Sequence, residues 1–187
     1  MLPAELQHLR LFPASVVVNA EERIPSERGV YLFFLRGGDR LLAAASYVGH
    51  QHRRSLACDG RQHIYTGAAG DLRRRLKQHM SLIEASSLRR SLLAIERRRK
   101  AISGSATPAC RVKGERSLTR WLCTNALIGL ELVDDPFARE RQLLSEYASP
   151  LNLTLRRREP FARSMLEMRR DALHRRGGSQ VRKFRSR

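Results

Sequence analysis

The feature that most constrains this chain is a change of period near residue 70. Gly29 to Leu35 reads GVYLFFL, dense in aromatic and branched residues as a strand should be. Gly37-Gly38-Asp39 signals a hairpin whose return strand is expected over Leu41 to Val48, and a shorter strand follows from His63 to Thr66. At Gly70 the pattern turns helical: Asp71 stands where an N-cap belongs, and DLRRRLKQHMSLI continues at helical spacing. A second helix is expected from Ser86 or Ser87, with Leu88, Leu92, Ile95 and Ile102 on one face. Ser103 to Gly114 reads as loop, and Ser117 to Trp121 as a short helix. Leu127 to Val133 is a further strand, after which Asp134-Asp135-Pro136 opens the last core helix, with Pro at its tolerated first position. Before all of this, a short helix after Pro3, an apolar stretch from Ala14 to Val18 and a turn ending at Pro25 are expected.

Strands, then helices, then one strand and a helix describe an α+β fold with a small mixed, mainly antiparallel sheet flanked by helices. A length of 187 residues suits one core rather than two. The expected organisation is an N-terminal extension over 1–24, a principal domain over 25–153 with an insertion at 36–62, and a basic C-terminal helix and tail over 154–187. Within the last region, residues 156–187 hold twelve Lys+Arg against three acids, and Pro160 to Arg176 has the pattern of a basic amphipathic helix.

Charge narrows the partner. The formal net charge is +18 and the isoelectric point near 11.4, which points to a polyanion. Nucleic acid comes first, because each neutralised phosphate releases condensed counterions. Only four basic residues are lysine (Lys77, Lys100, Lys113, Lys183), and such a bias can reflect genome base composition, so the preference for arginine carries no weight. The N-terminus shows no basic segment followed by an apolar one, and no apolar run approaches the ~20 residues that span a bilayer. Cys58, Cys110 and Cys123 are odd in number and not tightly spaced, as in a reducing compartment. The expectation is a cytoplasmic protein, nucleoid-associated when bound to DNA, with no membrane partner and no small-molecule cofactor.

Helical geometry singles out three side chains. At 100° per residue Leu72, Leu76, Met80 and Ile83 form one apolar arc, with Arg75 and His79 flanking Leu72, while Arg73, Arg74 and Lys77 point to solvent. On the helix after Pro136, Phe137, Leu143, Leu144, Tyr147 and Ala148 define the apolar arc, and Glu140 falls in its middle. A carboxylate on a buried face costs several kcal/mol unless it is paired or binds a cation. A divalent ion in a pocket shared with Arg75 and His79 would compensate it. So would a salt bridge to Arg75 or Arg139.

The pieces now fit a pattern. Gly29-Val30-Tyr31 resembles the first signature of the GIY-YIG nuclease family, and Tyr65-Thr66-Gly67 the second. AAGDLRRRLKQH resembles the family's D-L-x-x-R-L helix with a His or Tyr four residues past the Arg. ERQLLSEYASPLN resembles its closing element, a Glu followed twelve residues later by Asn. The resemblance covers Pro25 to Leu153.

It implies a metal-dependent endonuclease with Tyr31, Tyr65, Arg75, His79, Glu140 and Asn152 as site residues. Glu140 would hold one Mg²⁺ or Mn²⁺ at the scissile phosphate. Tyr31 would position or deprotonate the attacking water, Tyr65 would order the site, and Arg75 would stabilise the transition state through fixed donors. His79 would handle a proton or orient the phosphate, and Asn152 would support the site by hydrogen bonding. DNA is the expected substrate, with Arg73, Arg74, Lys77, Arg156, Arg157, Arg158, Arg169 and Arg170 contacting nucleic acid.

The chain departs from the family at three points. The two signature tyrosines are separated by 33 residues where relatives have a short hairpin. That insertion contains Tyr47-Val48-Gly49, which mimics the second signature but lacks the Asp-Leu cap and the R-L register after it. Ala68 stands where some relatives carry a lysine, and Thr66 is a polar middle residue. Non-catalytic nucleic-acid binding on the same fold, and a basic RNA-associated protein, are the rival readings. His50, His52, Cys58 and His63 are zinc-acceptable ligands, but their spacing matches no compact finger.

Overall fold

The computed structural model describes residues 2–38, 53–81, 84–103, 115–153 and 162–170, with 97–103 as backbone. Expectations for Leu41 to Val48, Tyr47-Val48-Gly49, His50, His52, the 104–114 loop and Arg156 to Arg158 lie outside these residues. In chain order the elements are β1 (Arg10–Pro13), α1 (Ser15–Asn19), β2 (Gly29–Arg36), β3 (Ala57–Cys58), β4 (Arg61–Ala69), α2 (Leu72–Ser81), α3 (Ser87–Ser103), α4 (Glu115–Asn125), β5 (Ala126–Leu132) and α5 (Pro136–Glu146). A last helix, α6, covers 162–170. The fold is α+β, as expected.

The sheet has the order β1-β5-β2-β4-β3, and all four of its ladders are antiparallel. The expected mixed character reduces to one isolated parallel bridge, Arg54 to Tyr147. β2 lies at the centre and is buried on both faces, which explains why GVYLFFL runs apolar without alternation. Tyr31, Phe33 and Leu35 face α2, α3 and α4, where Leu72, Leu76, Leu88 and Leu122 complete the larger core. Val30, Leu32 and Phe34 face the other way, against Leu143 and Tyr147 from α5 and its C-terminal end.

The first 24 residues are more than an extension. β1 pairs with β5 from Arg10↔Leu130 to Pro13↔Leu127, and Leu6, Ala14 and Ile24 are fully buried. The cap read from the sequence at Asp71 is present and Asp135 caps the helix that Pro136 opens, whereas Ser117, the expected start of a short helix, lies inside α4. Asp71 Oδ1 accepts from Arg74 N at 2.9 Å, and Asp135 Oδ1 from Ala138 N at 2.9 Å. The first N–H groups of α2 reach the carbonyls of Glu27 and Pro25 at 3.1 Å each, which ties that helix to the chain entering β2.

Candidate active site

Two glycines set the geometry. In the β2–β4 register Tyr31 faces Gly67, and a Cβ on Gly67 would lie 2.3 Å from Tyr31 Cζ and Oη. The phenol therefore lies across a strand position that has no side chain. Gly29 plays the same part against β5: its Cβ would meet the Glu131 carbonyl oxygen at 2.3 Å and Leu72 Cδ1 at 2.9 Å. The glycine of each signature permits a close approach, one to a ring and one to a backbone.

Around Tyr31 the side chains form a connected set. Its hydroxyl lies 2.7 Å from His79 Nε2, and Arg75 Nε donates to it at 3.3 Å. His79 Nδ1 lies 2.7 Å from Ser86 Oγ, and Tyr65 Oη lies 3.0 Å from Ser87 Oγ. The rings are close: Tyr31 to His79 5.2 Å, Tyr65 to His79 5.5 Å and Tyr31 to Tyr65 6.3 Å between centroids. Burial, with help from the charges of Arg75 and Arg89, pushes His79 down to about 3, so the imidazole is neutral. With one nitrogen a donor and the other an acceptor, a consistent assignment follows. Tyr31 accepts from Arg75 and donates to His79 Nε2, and His79 Nδ1–H donates to Ser86 Oγ.

Burial and the nearby Tyr65 hold the Tyr31 hydroxyl above its usual range, with Arg75 opposing and Glu140 adding to the rise. Burial works to lower Arg75, but its contacts with Tyr31 and Tyr65 outweigh it and the net shift is upward. Arg75 also donates from Nη1 to Gln78 Oε1 at 2.9 Å and to the Ala85 carbonyl at 3.0 Å, which fixes its fork.

Glu140 comes from the opposite layer, on α5, yet its charge is felt at Tyr31 and it itself feels the charge of Arg75. It is half-buried, and burial raises its pKa against the pull of Arg141 and Arg75. The arc around it differs from the expected one. Phe137 is 57% exposed, so Glu140 sits at the margin of the apolar face rather than in its middle.

The salt-bridge alternatives for Glu140 are not formed. Arg139 pairs with Glu131 at 3.0 Å and donates to Gln142 at 2.9 Å, while Arg75 is engaged as above. Among the described residues the Glu140 carboxylate has no hydrogen-bond or ion-pair partner, and no group of three or more His, Cys, Asp or Glu gathers into a metal cage. A single half-buried carboxylate that feels Arg75 and bears electrostatically on Tyr31 suits a hard cation that keeps waters and takes phosphate oxygens. The residues fit such a cation with Glu140 as its protein ligand.

Asn152 lies behind the site. Its Oδ1 accepts from Thr66 N at 2.8 Å and its Nδ2 donates to Thr66 O at 2.6 Å, as a neighbouring strand would. The polar Thr66 is explained by the same layer, since its hydroxyl bonds His63 Nε2 at 2.9 Å. His63 Nδ1 bonds the Ala148 carbonyl at 2.9 Å, so both of its nitrogens are used and burial holds it near 4.

The basic residues divide. Arg74 and Arg170 are exposed, and Lys77 is exposed but paired with Glu21 at 2.7 Å. Arg73, expected in solvent, instead donates to the Ile24 carbonyl at 2.7 Å and is half-buried. Arg169, expected on a phosphate-facing surface, is turned inward at 8% exposure. Its place on the buried stripe with Ala162 and Met165, seven and four residues before it, is a signal that helical spacing carries. Ser86 and Ser87 were legible only as the start of a helix. Their pairing with His79 and Tyr65 depends on how α2 and α3 pack.

A model of the GIY-YIG catalytic domain matches residues 29–171, well over half of the chain, including both signatures, α2, α5 and α6. Searches of curated proteins and of solved structures return no match. With a match that covers both signatures and the helices that follow them, the chain belongs to the GIY-YIG catalytic-domain family, a nuclease-type domain.

Proposed function

We propose that this protein is an endonuclease that hydrolyses DNA phosphodiesters with one divalent cation, Mg²⁺ or Mn²⁺, held by Glu140. The observation that carries this reading is the unpaired, half-buried Glu140 carboxylate sharing an electrostatic environment with Tyr31 and Arg75. When bound, the cation would neutralise charge on the phosphoryl group and on the departing 3′ oxygen.

The protein's own groups do the rest. Arg75 donates to a non-bridging oxygen, with its fork already fixed by Gln78 and Ala85. The Tyr31 hydroxyl has its donor and one acceptor position committed, to His79 and Arg75, which leaves one lone pair for the attacking water. As the water oxygen bonds to phosphorus, its proton passes to Tyr31 Oη and the Tyr31 proton to His79 Nε2. The bond from phosphorus to the 3′ oxygen breaks, and solvent protonates that oxygen. A bound phosphodiester also brings negative charge beside Arg75, offsetting part of what keeps His79 neutral before substrate arrives.

The test is supercoiled plasmid incubated with the protein in Mg²⁺ or in chelator, alongside Tyr31→Phe. The expected result is Mg²⁺-dependent nicking that falls at least about 100-fold in the variant. Salt-sensitive binding with no conversion of plasmid under any metal overturns the enzyme reading in favour of a non-catalytic binder.

A further inference from the structure

Among the described residues two guanidinium groups are buried, and they do different work. Arg89 is fully buried and joins carbonyls of α2 and α4: its Nη1 donates to Met80 O at 3.0 Å and its Nη2 to Glu115 O at 3.0 Å. It is a tie between helices. Arg169, from α6, is also buried, yet every acceptor it meets belongs to the first turns of α3. Its Nε donates to Ser91 Oγ at 3.0 Å and its Nη2 to the Ser87 carbonyl at 2.9 Å, with a further close contact from Nη2 to Ser91 Oγ. Ser91 Oγ itself donates to the same Ser87 carbonyl at 3.1 Å.

A cation held inside by neutral oxygens alone is costly, because desolvation is not repaid by an opposite charge. Among the described residues no carboxylate pairs with Arg169, and burial together with Arg90 pushes it down to about 10. What it holds is the turn on which the candidate site depends. Ser86 caps α3 by accepting from Arg89 N at 3.1 Å and also meets His79, while Ser87 meets Tyr65. Arg75 grips the residue before them through the Ala85 carbonyl.

We propose that Arg169 is a positioning residue of the active site, fixing the start of α3 so that Ser87 meets Tyr65 and Ser86 meets His79. Helix 162–170 is then a part of the catalytic unit and not a separate nucleic-acid-binding arm. This rests on the nuclease reading, and the experiment separates the two.

The full chain, labelled with ¹³C at tyrosine Cζ, is compared with Arg169→Met, Arg169→Lys and the exposed control Glu167→Gln on the same helix. The Tyr65 signal is assigned by its loss in Tyr65→Phe. In Arg169→Met the Tyr65 signal shifts and kcat for plasmid nicking falls about 10–100-fold, with KM and its salt dependence near wild type. Arg169→Lys recovers part of both. Glu167→Gln leaves kcat and the Tyr65 signal unchanged. In a Tyr65→Phe background, Arg169→Met lowers kcat by less than it does in the wild type, since coupled residues are not additive. Should Arg169→Met fail to fold, Ser91→Ala takes its place and shifts the same signal.

An unshifted Tyr65 signal in a folded Arg169 or Ser91 variant overturns the proposal, as does an equal kcat loss with and without Tyr65. If the wild-type protein does not cleave, a shifted Tyr65 signal still supports the positioning role while the nuclease reading falls.

Discussion

A Cβ on Gly67 would sit 2.3 Å from the end of the Tyr31 ring, which is only 1% exposed and has nowhere to retreat. Gly67→Ala must therefore displace the phenol from both His79 and Arg75, whereas the strand itself can persist. The expected outcome is a folded variant destabilised by about 1–3 kcal/mol, the range for an overpacked core, with plasmid nicking reduced far more than stability. Thermal unfolding beside a nicking assay checks it. Wild-type cleavage by Gly67→Ala would mean that the seat of Tyr31 does not matter. The same detail shows how legible single residues were. Tyr31, Tyr65 and Arg75 could be picked out because signature order and helical angle both pointed at them, and they do converge. Ser86 and Ser87 could not, since a serine that caps a helix and a serine that also meets a buried histidine look alike until two helices pack.

Elements announced themselves where a local rule was strong. Asp71 and Asp135 each cap the helix that follows, and GVYLFFL is the central strand. β1 was missed because RLFP is four residues long, mostly exposed and ended by proline, and its pairing with β5 is wholly non-local. The outer edge of β4 is equally non-local. β3 covers only two residues of it, and the segment at 151–152 closes more through Leu151 N to Ile64 O at 2.9 Å and the Asn152 clamp on Thr66. Asn152→Ala leaves the Thr66 N–H and C=O without that partner. Each such group costs about 1–3 kcal/mol when buried, so the expected loss is about 2–4 kcal/mol for this part-buried pair. Urea unfolding measures it, and a loss below about 0.5 kcal/mol would show that water satisfies the strand edge instead.

For the molecule as a whole, acid is the informative perturbation. His63 and His79 are held near 4 and 3 against an ordinary value of 6.5, both chiefly by burial. Their folded pKa values lie below the unfolded ones, so the unfolded chain binds more protons in between and stability rises with pH across that window. The urea midpoint should stay level above about pH 7 and fall as pH drops from 6.5 toward 5, before most carboxylates titrate. His63→Gln should flatten that slope, and a midpoint unchanged from pH 7.5 to 5 would contradict the burial of both imidazoles. The two rings sit on opposite sides of the same strand, one in the Tyr31 cluster and one against Ala148 and Thr66, so fold and candidate site share one acid limit. The acidic group of the candidate site is Glu140, whose charge adds to the rise at Tyr31 and whose own rise Arg75 opposes. The most direct measurement is Mg²⁺-dependent plasmid nicking by Glu140→Ala, with DNA binding followed in parallel. The expected result is binding within a few-fold of wild type and cleavage lower by at least about 1,000-fold. Cleavage at the wild-type rate by that variant would contradict the account.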